Sequence, residues 1–197
     1  MSSKSERTSQ YILEKVAPVF NKHGYAGTSL AQITEATGMT KGAVYGNFES
    51  KETLALKSFN YSIRKLNKAI SEVMDKEESP KGKLKALVSF YRGYPKFSEK
   101  YGGCPILNVS LDSNHQNELL LNRAQSVIVK MKDRLANIIE EGKQRGEFRS
   151  DLNPEKYASL IFTQIEGSAF LSSVMRESVH MDYTMDHLDH MLNYEMS

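Results

Sequence analysis

Thr40, Lys41, Tyr45, Asn47 and Lys51 bring two ammonium groups, two hydroxyls and a carboxamide into one short run of the chain. These are the donors and cations that meet phosphates and base edges. Residues 1–68 hold ten Lys or Arg against five Asp or Glu, a local net of +5 in a chain whose total is only +2. Positive charge confined to the segment with the donors suits a polyanion, because neutralising phosphates releases condensed counterions. Other chemistry is thinly provided. Cys104 is the only cysteine, so no disulfide can form within the chain. Paired with His115 or His180 it could act as a nucleophile, which makes an all-α enzyme a remote alternative, but nothing arranges an orienting third group or an oxyanion site. His187 and His190 stand three apart beside Asp186 and Asp189. A plain polar helix face has the same spacing, so no metal site, cofactor or catalytic residue is expected.

The donors need a scaffold, and the stretch from Thr28 to Lys51 reads as two short helices meeting at a glycine turn. Ser29 is placed to cap the first, and Leu30, Ile33 and Ala36 give it one apolar face. Gly38 can take positive φ where the chain reverses. Thr40 caps a second helix whose Val44 and Phe48 point inward together, leaving Lys41, Gly42, Tyr45 and Asn47 on other faces. This is the layout of a helix-turn-helix. A helix of about two turns is not stable alone. Upstream, Ile12, Leu13, Val16, Ala17 and Phe20 form the inward stripe of a helix over about 6–22, which Pro18 should bend slightly. Downstream, a fourth helix over 51–74 carries Leu54, Phe59, Ile63, Leu66 and Ile70.

The rest of the chain also reads as helix, with no convincing strand. The polar stretch 75–80 is the expected domain boundary. It separates a DNA-binding domain at 1–50, bridged by the fourth helix, from a helical domain at 75–197. Pro80 opens a fifth helix that Gly93 and Pro95 end or kink. Residues 101–105 form a loop or hinge, a short helix follows over 106–111, and a long one runs over about 117–143. Asn153 and Pro154 open a helix that is apolar on two faces: Ala158, Ile161, Phe162, Ile165 and Ala169 on one, and Leu160, Gln164, Gly167, Leu171 and Val174 on the other. Such a helix must be covered twice. A last helix spans about 182–194, making about nine in all. The polar N-terminus, the lack of an apolar run long enough for a bilayer and the single cysteine together point to a cytoplasmic protein.

The N-terminal third resembles the TetR family of bacterial transcriptional repressors. The matching residues are Phe20, Gly24-Tyr25, Thr28-Ser29, Ile33, Gly38, Thr40-Lys41-Gly42, Val44-Tyr45, Phe48 and Ser50-Lys51. The resemblance implies a homodimer that sets two helix-turn-helix units over neighbouring major grooves of a palindromic operator in double-stranded DNA. By position, Ser29, Thr40, Lys41, Gly42, Ala43, Tyr45, Asn47 and Lys51 are then the DNA-facing residues. Gly46-Asn47 departs from the family pattern; the pair either ends the recognition helix or lets Asn47 read adenine.

The resemblance also accounts for the two-faced helix. Leu160, Gln164, Gly167, Leu171 and Val174, with Leu188 and Leu192 of the last helix, would form a four-helix bundle across a two-fold axis. It further implies a small-molecule effector, of unknown identity, that releases DNA. Tyr91, Tyr94, Cys104, Asn108, Thr163, Glu166 and Phe170 are the expected lining of its pocket. Gly-Cys elements like that at Cys104 resemble those of some electrophile-sensing relatives, so a redox-sensing repressor is the alternative to an inert, buried thiol.

Overall fold

In the computed structural model, Ser3, Ser29, Thr40, Ser79 and Asn153 each accept a hydrogen bond from a backbone N–H of the turn that follows, and each opens a helix. The structure describes residues 3–114 and 116–197. Among them there are ten α-helices and no strand: α1 Lys4–Gly27, α2 Leu30–Thr37, α3 Lys41–Tyr45, α4 Lys51–Met74, α5 Pro80–Arg92, α6 Tyr94–Glu99, α7 Pro105–Ser113, α8 Glu118–Gln144, α9 Pro154–Met175 and α10 Val179–His190. A wider π turn, Met191–Glu195, closes the chain. No helix among the described residues is long and apolar enough to cross a membrane.

The count exceeds the expected nine because α6 forms where Gly93 and Pro95 read as breakers. Pro95 stands in the first turn of α6, where a missing N–H costs nothing. The last helix starts earlier than its apolar pattern suggested, at Val179. In α1 the break lies at Gly24 (φ 73°, ψ 175°) rather than at Pro18. Proline's fixed φ is itself helical, whereas positive φ turns the chain aside.

The chain divides into two compact units, Met1–Leu66 with Ser98–Gln125, and Asn67–Phe97 with Ser126–Ser197. The division falls within α4, and α4, α6 and α8 each supply residues to both units. In the first unit Ile12, Val16, Ile33, Val44, Phe48, Leu54 and Leu120 are buried in one apolar cluster. In the second, Leu84, Leu87 and Val88 of α5 are buried with Ala158, Ile161 and Ile165 of α9 and Met181, Met185 and Leu188 of α10. Arg92 Nη2 lies 2.8 Å from both Asp186 and Asp189. Its pKa is raised, chiefly by the hydrogen bond to Asp189. The two aspartates beside His187 and His190 are thus engaged in an ion pair.

Leu188 and Leu192, expected at the surface between subunits, are 0% and 1% exposed and belong to the core of their own unit. The outward face of α9 instead carries Leu160, Gly167, Phe170, Leu171, Val174 and Met175, all exposed. Gln164 is half-buried at its margin.

Candidate nucleic-acid interface

The five-residue α3 holds its position because its own Val44, at 0% exposure, and Phe48 just beyond its end, at 2%, are sunk in the core. Gly38 ends α2 in the left-handed region (φ 66°), so the chain reverses and sets α3 across α2. Tyr11 of α1 donates its hydroxyl to the Thr37 carbonyl at 3.1 Å, fastening the turn from behind. Thr28 donates to the Gly24 carbonyl at 2.6 Å, and Ser29 and Gln32 cap α2 reciprocally.

What remains outside is the edge formed by Thr40, Lys41, Gly42 and Ala43, all exposed, with Ser29 exposed at the start of α2. The Thr40 hydroxyl accepts from the Ala43 N–H at 3.2 Å and keeps its own proton to donate. A Cβ added at Gly42 meets nothing within 4 Å, so no packing inside the protein demands glycine there. Tyr45 is half-buried, and burial, with Tyr25 nearby, raises the pKa of its phenol. The Lys51 ammonium sits 4.8 Å above the Tyr25 ring, a cation–π contact that holds it at the start of α4.

Asn47 is engaged within the protein. Its Nδ2 donates to the Ala43 carbonyl at 2.9 Å and its Oδ1 accepts from Ser9 at 3.3 Å. Of the two readings of Gly46-Asn47, this geometry is that of a helix end: Gly46 caps α3 and Asn47 folds back onto the last turn.

The expected effector residues are divided between the two units. Cys104 and Asn108 belong to the first unit, and Tyr91, Tyr94, Thr163, Glu166 and Phe170 to the second. Cys104 is buried at the N-cap of α7. Asn108 donates to the carbonyls of Asn21 (2.8 Å) and Gly102 (3.2 Å) and so braces the 101–104 loop against α1. Thr163 and Phe170 face solvent, with Phe170 46% exposed on the apolar face of α9. His115 lies outside the described residues, and His180 stands in α10 of the second unit.

Within the second unit, Tyr91 is part of a recess of about 40 Å³ with Ile70, Met74, Met131, Arg134 and Phe162 among its walls. Tyr91 packs against Tyr94 with ring centroids 4.9 Å apart. Met74, Met131 and Phe162, which sequence reasoning did not assign to a pocket, are apolar at helical spacing and look like ordinary core until their neighbours are known. The Tyr25 platform was equally unreadable, since nothing in its spacing reveals that Lys51 rests on it.

Two family models match the chain: "Bacterial regulatory proteins, tetR family" over residues 12–57, and "Tetracyclin repressor-like, C-terminal domain" over residues 80–188. Among solved structures, a TetR-family transcriptional regulator from Cytophaga hutchinsonii is 33% identical, with 98% of this chain and 96% of that one covered and a TM-score of 0.89. A TetR transcriptional regulator from Chloroflexus aurantiacus J-10-FL is 30% identical over 97% of this chain and 96% of its own, with a TM-score of 0.92. The HTH-type transcriptional repressor DhaR of Mycobacterium sp. (strain GP1) is 24% identical over 88% of this chain and 86% of its own length.

Proposed function

The chain belongs to the TetR family of DNA-binding transcriptional regulators, and from that premise we propose that it is a homodimeric repressor of a palindromic operator, released by a small-molecule effector. It is a regulator and not an enzyme, and it works in the cytoplasm. The observation that carries the reading is the exposed edge Thr40–Ala43 on a helix whose opposite side is fully sunk in the core.

On this reading the start of α3 enters the major groove. The Thr40 hydroxyl and Lys41 meet phosphate and base edges, and Gly42 brings the backbone close to the duplex. That accounts for a glycine which the protein's own packing does not require. Tyr45 contacts the backbone or a thymine methyl, and Lys51 meets a phosphate from the first turn of α4. Two copies present two such edges about 34–36 Å apart, one helical repeat of the duplex. The dimer forms through the exposed apolar face of α9, with Gly167 permitting close approach of the partner's α9.

The effector's place is the recess around Tyr91. At about 40 Å³ it is closed against the roughly 300–1,000 Å³ that drug-sized ligands fill, so binding must displace side chains. Met74, Met131 and Phe162 are the movable ones. Arg134, whose guanidinium reaches Ser71 Oγ at 3.2 Å, supplies the polar contact. This favours an apolar compound carrying an acceptor or acidic group.

Titration of a duplex selected by the protein from a randomised pool tests both parts. Lys41→Ala and Lys51→Ala each weaken binding and lower its salt slope by about one. A panel of small aromatic and aliphatic acids includes compounds that lower the affinity of the parent protein. Unaltered affinity and slope in both variants contradicts the contact surface, and affinity untouched by the whole panel contradicts the effector chemistry.

A further inference from the structure

Helix α7 completes hydrogen bonds that α1 loses at its break. In a regular helix the Tyr25 N–H would meet the Asn21 carbonyl. Because Gly24 turns aside at positive φ, α7 engages both partners instead. The Tyr25 N–H donates to Asp112 Oδ2 at 2.6 Å, and the Asn21 carbonyl accepts from Asn108 Nδ2 at 2.8 Å. Asn108 and Asp112 stand four apart on one face of α7. The fit is close, since a Cβ at Gly24 would collide with the Asp112 carboxylate. Asn21 in turn donates to the carbonyls of Tyr101 and Gly103, both at 2.7 Å, which anchors the loop leading into α7.

The residue held in this way is the one whose ring lies 4.8 Å beneath the Lys51 ammonium. We infer that Asp112, with Asn108 beside it, is a positioning residue for DNA binding: by fixing the Gly24–Tyr25 elbow it seats the Tyr25 ring under Lys51, and so sets operator affinity without touching DNA. The inference rests on Lys51 facing the duplex, as proposed above. All the groups involved lie in the first unit. Spatial intermediacy alone does not establish coupling, so the test is a double-mutant cycle.

The selected duplex is titrated across a salt series with the full-length protein and with Asp112→Ala, Asp112→Asn, Lys51→Ala and the Asp112→Ala/Lys51→Ala double variant. Each is first shown to be folded by circular dichroism. Lys51→Ala weakens binding and lowers the salt slope by about one. Asp112→Ala weakens it about ten-fold with a lowered slope, while adding less than about three-fold in the Lys51→Ala background. Asp112→Asn keeps most of the affinity, because its amide oxygen still accepts from Tyr25 N–H. Should Asp112→Ala fail to fold, Tyr25→Leu carries the test: it leaves the backbone bond and removes the platform, and must reproduce the slope change of Lys51→Ala. Full additivity in the double variant, or an unchanged slope in Asp112→Ala or Tyr25→Leu, overturns the inference while leaving the contact surface standing. A silent Lys51→Ala removes Lys51 from the contact surface and overturns this inference with it, while the Thr40–Ala43 edge is judged by Lys41→Ala.

Discussion

Asn47 shows how much a single side chain can settle. With its amide donating to the Ala43 carbonyl and its oxygen accepting from Ser9, it stabilises the end of α3 and ties that end to α1. Asn47→Ala should therefore cost about 1 kcal/mol of stability, read by chemical denaturation, and leave the base preference of the selected duplex unchanged. A stable variant with altered preference at one base pair would return Asn47 to the role of base reader. From sequence the two roles are inseparable, because asparagine suits a helix end and an adenine edge equally well. The exposed Thr40–Ala43 edge was legible, since Val44 and Phe48 at four-residue spacing declare which side of so short a helix must be inward. The Tyr25 platform was not: a cation–π contact joins residues far apart in the chain and leaves no periodic trace.

Among the elements, α9 carries the sharpest contrast between pattern and placement. Its two apolar faces are plain in the sequence, and one of them is exposed in the single chain, with Val174 60% and Phe170 46% accessible. The companion helix could not be read as well. Leu188 has the same type and spacing as a surface leucine, and only the packing of α5 and α9 over it shows that it is core. Likewise Phe170, chosen for a pocket because it is aromatic, stands on the outward face of α9. Periodicity identifies apolar stripes but does not say what covers each one. Val174→Asp places an unpaired charge on the proposed partner-facing stripe. It should raise the dimer dissociation constant roughly a hundred-fold, measured by analytical ultracentrifugation, with helicity by circular dichroism unchanged. A dissociation constant equal to the parent's would exclude this face of α9 from the subunit contact.

At the scale of the molecule, the all-helical class and the helix-turn-helix followed from apolar spacing, caps and turn glycines, and family models over residues 12–57 and 80–188 agree with both. The split into compact units did not follow, because α4, α6 and α8 each serve both, and a helix that runs without interruption offers no compositional seam at the place where its partners change. The central claim is that two copies of one chain present paired recognition edges to a palindromic duplex. The most direct test is the stoichiometry and spacing dependence of binding to the selected duplex, by sedimentation of the complex at moderate salt. The account predicts one dimer, two chains, per palindromic site, with affinity lost when half the helical repeat is inserted between the half-sites. A complex of one chain per site, or equal affinity for the palindrome and for random duplex, would contradict it.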